Sequence, residues 1–457
     1  MIKRRRFGPI LLVMGILSGT CAWAQTDTGT TPDTTAPTQP GPQPAYTYPD
    51  TRPSLDFLNQ SIENSSITLG IATGFTFDSQ AYANSNASHD YWLFHVTPSI
   101  RIQQFLPKLS WNFSYSGGYQ TYTSINGPPN SANSNLFSQN AGAGFIWQMT
   151  QHWQLRANDS FRYSANPFDS YLTTPGLPTI NNPNPVVYTP LTQFTQNNAL
   201  MTLTNQLTKT DTLSFTGTSD LRRTTRYNLV SSVPFYNLIS YGGRANYSHR
   251  LNPRLGLGAG YIFNSLDFGK GQQRSGTQTI MATVDYLLRP NMTISGWVGP
   301  EYTGTQDTIF GIKLPHTSMW NTSAGVNFGW HGLRDSVTAG FTRSVSDGGG
   351  IIGTSEVDHF NVSYRRMITR KMDAVLGGQF LHDVSTATTT TVPSRNFNNT
   401  YIDLALSYAF MKSLRASATY AHTHQSQSST IVIGSSSYNA NIVGVTVSYS
   451  WDHPLGR

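Results

Sequence analysis

The alternation of apolar and polar residues over runs of about ten residues constrains this chain more than any other feature. In the run 443–451, valine, tyrosine and tryptophan occupy every odd position, and glycine, threonine and serine occupy every even one. Runs of the same kind occur at 67–77, 92–102 and 109–116. Because successive side chains of a strand point to opposite faces, these runs predict strands with one apolar and one polar face. A length of about ten residues is that of a tilted strand that crosses a bilayer, whereas a soluble strand is about half as long.

The composition agrees with strands that separate lipid from water. Charged residues make up 12% of the chain and hydrophobic residues only 38%, whereas ordinary soluble domains are about 25% charged. A barrel whose outer face is apolar and whose inner face is polar accounts for both low values. Beyond the N-terminal segment, no stretch approaches the roughly 20 apolar residues of a membrane-spanning helix.

The connections between these runs alternate between short and long. Short turns are predicted at Pro107-Lys108, Gln151-His152, Lys209, Asn252-Pro253, Pro290-Asn291, Gly332, Arg370-Lys371 and Lys412. Longer loops are predicted at Ser164 to Gln193, Asn264 to Gly276 and Asp347 to Thr354. Short turns at one end and long loops at the other are typical of outer-membrane barrels. The fold class predicted is therefore all-β, a transmembrane antiparallel up-and-down β-barrel of about 18 strands, with 16 as the alternative.

The N-terminal 24 residues predict an export signal. Four basic residues precede a short apolar stretch, and Ala22-Trp23-Ala24 fits the small-x-small pattern of a cleavage site. Lipidation at Cys21 is the alternative. Ser18 disfavours it, because a lipobox has a large aliphatic residue three positions before the cysteine. Residues 25–65 are rich in threonine and proline and predict a disordered periplasmic linker, in which Ser54 to Asn64 is either a short helix or more linker. Residues 66–457 are predicted to form the barrel.

Removal of the signal changes the charge and the cysteine content. The whole chain has a net charge of +7, but four cations and no anions precede Gln25, so the remainder is near +3. This near-neutral charge gives no reason to expect a nucleic-acid partner. The single cysteine, Cys21, leaves with the signal, so we expect no disulfide and no thiolate metal site.

Aromatic residues mark the predicted ends of the strands. Amphipathic rings concentrate where a bilayer meets water, in two bands around a barrel. The predicted interface residues are Trp92, Trp111, Trp147, Trp153, Trp320, Trp330 and Trp451.

From residue 66 to Trp451 the chain resembles outer-membrane β-barrel proteins, in particular porin-like barrels of Gram-negative bacteria. The resemblance rests on the alternating strands, the short and long connections and the aromatic-ended last strand. It implies export to the outer membrane, outer-membrane lipid as surroundings and the barrel-assembly machinery as a partner. Six residues, Asp452–Arg457, follow Trp451, whereas such barrels commonly end on the aromatic residue that the machinery reads. A soluble propeller or sandwich is the alternative fold, but no blade motif repeats.

No motif of catalysis or cofactor binding emerges. His422 and His424 share one face of a strand, but no third ligand lies nearby, so no metal site is predicted. No local signature selects a serine, histidine and acid set, and we therefore predict neither an enzyme nor a cofactor.

The charged residues on the polar face of the predicted strands are the candidate functional residues. The basic candidates are Arg101, Arg156, Arg162, Arg222, Arg365 and Arg415, and the acidic candidates are Asp220, Asp285, Glu301, Asp373 and Asp403. Arginines dominate the first seven strands, which predicts a positive wall facing acids across the lumen. The alternative interpretation is that these charges pair between neighbouring strands and stiffen the wall.

A barrel of 18 strands is wide enough for an aqueous channel unless something fills it. The sequence therefore predicts passive diffusion of small hydrophilic solutes, with a weak preference for anions. The alternative is a non-conducting barrel that acts as a surface anchor or adhesin, or as an accessory to surface polysaccharide export.

Overall fold

The structure is a computed structural model. It describes residues 65–79, 90–124, 134–164, 193–226, 237–269, 272–309, 312–346, 354–385, 395–429 and 436–455. The predicted signal, the linker as far as residue 64 and the possible helix Ser54 to Asn64 lie outside these residues. No helix in the described ranges combines the length and the apolar character needed to cross a bilayer.

The described residues form nineteen strands. These are β1 (Ser66–Asp78), β2 (Tyr91–Phe105), β3 (Leu109–Ser124), β4 (Ser134–Gln148), β5 (Trp153–Ser164), β6 (Gln193–Gln206), β7 (Asp211–Arg226), β8 (Leu238–Asn252), β9 (Leu255–Phe268), β10 (Gln273–Arg289), β11 (Met292–Ile309), β12 (Ile312–Lys313), β13 (Thr317–His331), β14 (Asp335–Ser346), β15 (Ser355–Thr369), β16 (Met372–Ser385), β17 (Arg395–Ala409), β18 (Leu414–Ser429) and β19 (Ser436–Pro454).

Eighteen of these strands close into one antiparallel barrel. Each pairs with its neighbours along the chain, and β1 closes the sheet by pairing with both β2 and β19. The exception is β12, a strand of two residues that pairs only with the end of β11. The predicted fold class and strand number are therefore confirmed.

The two ends of the barrel differ in their connections. At one end, here called the turn end, the connections are two to four residues long. They join β2 to β3, β4 to β5, β6 to β7, β8 to β9, β10 to β11, β13 to β14, β15 to β16 and β17 to β18. All eight predicted short turns fall at these connections, although Asn252 is the last residue of β8. The opposite end, here called the loop end, is where the strands meet the remaining connections. The predicted loops Ser164 to Gln193 and Asp347 to Thr354 lie almost wholly outside the described residues.

The predicted loop Asn264 to Gly276 is wrong. Strand β9 runs on to Phe268 and β10 begins at Gln273, so most of the segment is strand. Gly269 has a φ of 58°, a left-handed conformation that glycine adopts without a steric penalty. The backbone N–H of Gln272 donates to the carbonyl of Phe268 at 3.0 Å. The connection is therefore only four residues long, and Asn264, Ser265, Ser275 and Gly276 lie in the strands rather than in a loop.

Alternating exposure identifies the two faces of the wall. In β1, Leu69, Ile71 and Phe75 are exposed on the outer face, whereas Ala72 and Thr76 are buried on the inner face. Opposite residues of paired strands share a face, so the register assigns every barrel strand. The outer face carries most of the large exposed apolar side chains, and the inner face carries mostly glycine, serine, threonine and asparagine.

Candidate functional site in the barrel lumen

All eleven charged candidates lie at positions of the inner face. Arg156, for example, is paired with Ile146 of β4 and Thr202 of β6. Thr202 in turn contacts Thr216 of β7 at 3.1 Å between hydroxyl oxygens, beside the buried inner residue Ser214. The even positions of β5, which include both Arg156 and Arg162, therefore face the lumen.

Several of these charges pair within the wall. The Arg365 guanidinium lies 3.5 Å from the Asp373 carboxylate on the next strand, and Arg222 lies 3.7 Å from Asp220. Gln196 also donates to Asp220 at 3.2 Å. The contacts of Arg365 with Asp373 and of Gln196 with Asp220 join neighbouring strands and support the wall-stiffening interpretation, whereas Arg222 and Asp220 lie on the same strand.

Two arginines are placed differently. Arg156 on β5 and Arg415 on β18 have no carboxylate partner within the described residues. Arg156 is exposed and Arg415 is half-buried. Their guanidinium charges are therefore available to a passing solute.

The sequence did not single out several further charged residues on the inner face. They include Asp78, Arg244, Arg250, Asp307, Asp383 and Asp452. Most stand near strand ends, where the alternation of apolar and polar residues fades. Extending the parity of each strand to its structural end would have found them.

The inner charges are graded along the barrel axis. In the loop half lie the buried acids Asp78, Glu301, Asp307 and Asp383, together with Asp220, Arg162 and Arg222. In the turn half lie five arginines and three acids, namely Arg101, Arg156, Arg250, Arg365, Arg415, Asp285, Asp373 and Asp452. The turn half of the lumen is therefore the more positive half.

The outer end of β14 and β15 folds into the lumen. The backbone N–H of Val345 donates to Glu301 of β11 at 3.1 Å, although β13 lies between the two strands in the sheet. The backbone N–H of Thr354 donates to Gln273 of β10 at 2.9 Å, and Gln273 donates to Asp307 at 2.9 Å. A hydrogen bond from the start of β15 to β10 spans four strand spacings, about 19 Å along the wall. The contact therefore crosses the inside of the barrel and narrows it.

The inner face also carries apolar clusters. Ile262, Met281 and Trp297 pack together on β9, β10 and β11, and a Cβ built at Gly325 of β13 would fall on the Trp297 ring. A second cluster, at the loop end, consists of Leu238, Leu266 and Phe268. The expectation of a polar inner face thus holds for most positions but not for these.

The predicted interface tryptophans all occupy outer-face positions of their strands. Trp92, Trp147, Trp320 and Trp451 are among the exposed large side chains. Trp320 and Trp92 lie toward the loop end, and Trp147 and Trp451 toward the turn end. This placement agrees with two aromatic bands.

The two histidines considered as ligands also lie on the outer face. His422 Nδ1 lies 2.9 Å from the Asn441 side-chain oxygen. Among the described residues there is no group of three or more side chains that could hold a metal ion.

A closed antiparallel barrel with an apolar outer face and a largely polar inner face is the architecture of porin-like outer-membrane barrels, the class that the sequence resembles. Similar solved structures include OccAB4 of Acinetobacter baumannii, with 10% identity over 85% of this chain and 98% of that chain and a TM-score of 0.43. OccK2 of Pseudomonas aeruginosa in complex with glucuronate has 10% identity over 85% of this chain and 98% of that chain, with a TM-score of 0.40. The FrpB iron transporter of Neisseria meningitidis has 11% identity over 87% of this chain and 82% of that chain, with a TM-score of 0.44.

No family model matches the chain. No curated protein matches it either.

Proposed function

We propose that the protein is an outer-membrane channel for passive diffusion of small hydrophilic solutes, with a weak preference for anions. The observation that carries the proposal is a closed barrel whose inner face is mostly polar and bears the two available arginines, Arg156 and Arg415. Serine, threonine and amide side chains offer hydrogen bonds to water and to solutes along the lumen. The polar inner face supports diffusion through a hydrated lumen, and the arginine-rich turn half supports the anion preference.

The anion preference is tested by Arg156→Gln and Arg415→Gln. In a hydrated lumen each guanidinium stabilises a nearby anion by about 0.5 kcal/mol, roughly a twofold effect on the ratio of chloride to potassium permeability. We expect this ratio to fall in each variant and to fall further in the double variant. The measurement is the reversal potential of the purified protein in a planar bilayer under a salt gradient.

The matched control is Arg254→Gln, which removes the same charge from an exposed turn between β8 and β9. Its permeability ratio should equal that of the unchanged protein. An equal shift in all three variants would show that net charge, rather than the lumen arginines, sets the preference.

The proposed surroundings are outer-membrane lipid, reached by signal-directed export and barrel-assembly machinery, and we propose no enzymatic activity. Asp159 provides a test of the lipid contact because it lies on the outer face near the middle of β5, paired with Ala143 and Ala199. Asn197 donates to its carboxylate at 2.8 Å. Asn197→Leu should reduce the free energy of unfolding by about 1–3 kcal/mol, because the carboxylate loses its donor.

The double variant Asn197→Leu/Asp159→Leu should recover this loss, since replacing both partners by apolar groups removes the unpaired polar atom. Urea titration of the barrel refolded into lipid vesicles measures both changes. Failure of the second substitution to restore stability would contradict lipid contact at Asp159.

A second candidate is the non-conducting barrel, acting as a surface anchor or adhesin or in polysaccharide export. The contact of Thr354 with Gln273 across the inside of the barrel favours it. Planar-bilayer recording separates the two candidates: stepwise ion conductance supports the channel, and a folded, inserted but silent barrel supports the alternative.

A further inference from the structure

The eight connections at the turn end share a pattern of exposed side chains. Each has a large apolar residue, either within the connection or at the last-but-one residue of the strand before it, that is at least 37% exposed. These residues are Leu106, Met149, Leu207, Leu251, Leu288, Leu333, Ile368 and Phe410. In seven of the eight cases an exposed lysine or arginine follows one to three residues later. The exposed lysines and arginines of these connections, here called the rim cations, are Lys108, Lys209, Arg254, Arg289, Arg334, Arg370, Lys371 and Lys412.

Three of the apolar side chains stand at β-bulges. The register with the following strand shifts around Leu251, Leu288 and Ile368. A bulge changes the direction of a side chain and recurs where a strand meets a functional surface. All three residues have the parity of the outer face, so the apolar surface of the wall continues to the turn end. A rim that met only water would gain nothing from these exposed aliphatic side chains.

The rim cations are held in a fixed order around the barrel. The backbone carbonyls of Lys108, Arg254, Arg334 and Lys371 each accept the N–H of a residue on the next pair of strands, at 2.7 or 2.8 Å. Adjacent connections are two strand spacings apart, about 10 Å. This separation is close to the Debye length at 0.1 M salt, about 10 Å. Neighbouring rim cations therefore act together on a charge close to the rim.

The carboxylates of the wall near the rim cations are already engaged. Asp211 accepts a hydrogen bond from the Tyr247 hydroxyl at 2.6 Å and lies 2.7 Å from His249 Nδ1. Asp335 accepts one from the Tyr364 hydroxyl at 2.7 Å and lies 3.8 Å from the Arg366 guanidinium. Within the described residues none of the rim cations has a carboxylate partner. Their charges are available to a partner outside the chain.

We propose that the turn end binds the headgroups of anionic phospholipids in the leaflet next to it. A cation beside an apolar side chain suits the boundary between headgroups and acyl chains, because the charge meets the phosphate while the apolar group enters the chain region. Short turns of outer-membrane barrels lie on the periplasmic side, so the leaflet concerned is the periplasmic one. The inference rests on the lipid setting of the proposed function but not on ion flow, and a silent barrel in the conductance experiment would leave it intact.

The experiment measures which lipid surrounds each end of the barrel. A bimane label is attached at Leu406→Cys, on the outer face of β17 near its turn end, in a Cys21→Ser background that is otherwise free of cysteine. The matched label is at Val443→Cys, on the outer face of β19 in its loop half. Each barrel is refolded into vesicles of phosphatidylcholine and phosphatidylglycerol in which only one of the two lipids has brominated acyl chains. The ratio of quenching by the two brominated lipids gives the preference of each site for the anionic one.

We expect the label at residue 406 to prefer phosphatidylglycerol by about fivefold, the effect of one cation near an anionic membrane surface, and the label at residue 443 to show no preference. About 1 M sodium chloride should remove the preference, because the Debye length falls to about 3 Å. Equal quenching by the two lipids at residue 406, in folded barrels that both lipids quench, would overturn the proposal. The same preference at both labels would also overturn it, because the binding would then not belong to the turn end.

Two double variants test whether the rim cations cause the preference. Lys371→Gln/Lys412→Gln removes one cation whose carbonyl is bonded to the end of β17 and one in the connection that follows β17. The matched control, Lys209→Gln/Arg254→Gln, removes the same charge from connections on the opposite side of the barrel. The first pair should lower the preference at residue 406 to that at residue 443, and the control should leave it unchanged. An equal decrease in both pairs would assign the preference to net charge and contradict binding at the rim.

Discussion

Val445→Arg is expected to lower the free energy of unfolding of the barrel in lipid by about 2–4 kcal/mol, the cost of a cation on the lipid face near mid-membrane. Val445 is 54% exposed on the outer face of β19. It lies opposite Phe75 of β1 and Ala418 of β18. None of these neighbours offers a carboxylate, so the guanidinium would face hydrocarbon alone.

The matched control is Thr446→Arg, one residue along the same strand. Thr446 lies on the inner face, opposite Gly74 and Ser417, where an arginine would extend into the lumen. Its stability should change little. Urea titration of both variants in lipid vesicles makes the comparison, and equal losses would refute the assignment of the two faces in β19.

The alternation of residues was sufficient to predict most of the wall. In the run 443–451 each side chain has one clear character, so the strand and its parity follow directly. The short turns were predictable for a related reason, because proline, glycine, asparagine and lysine interrupt the alternation within two or three residues. The prediction of a loop at Asn264 to Gly276 was wrong because asparagine, serine and glycine occur both in loops and on the inner face of a strand. No local pattern of residues distinguishes these two cases.

The candidate site was predictable only in part. Parity placed all eleven charged candidates on the inner face, since it depends on neighbours in sequence alone. The inward fold of β14 and β15 depends on Thr354 meeting Gln273, which stands 81 residues earlier in the chain. The buried position of Trp297 likewise depends on Gly325 of a different strand. Pairings over such separations leave no periodic pattern in the sequence.

Removing the two anchors of the inward fold is the second prediction with a large expected effect. The double variant Glu301→Leu/Gln273→Leu takes away the acceptor of the Val345 N–H and the acceptor of the Thr354 N–H. A buried hydrogen bond to a carboxylate contributes about 2 kcal/mol and a neutral one about 1 kcal/mol, so the inward position loses about 3 kcal/mol, roughly a hundredfold in population. The end of β14 and β15 should then leave the lumen, and the single-channel conductance should rise.

The control for this variant is Asp220→Leu/Gln196→Leu, which also replaces one carboxylate and one glutamine on the inner face. Gln196 and Asp220 are bonded to each other on β6 and β7, strands that are not neighbours of β14 or β15 in the sheet. Recording both double variants in planar bilayers separates a local from a general effect. A larger conductance in the Glu301 variant alone would show that the inward fold restricts the channel. An equal change in both, or none in the Glu301 variant while its barrel remains folded, would show that the fold of β14 and β15 does not limit ion flow.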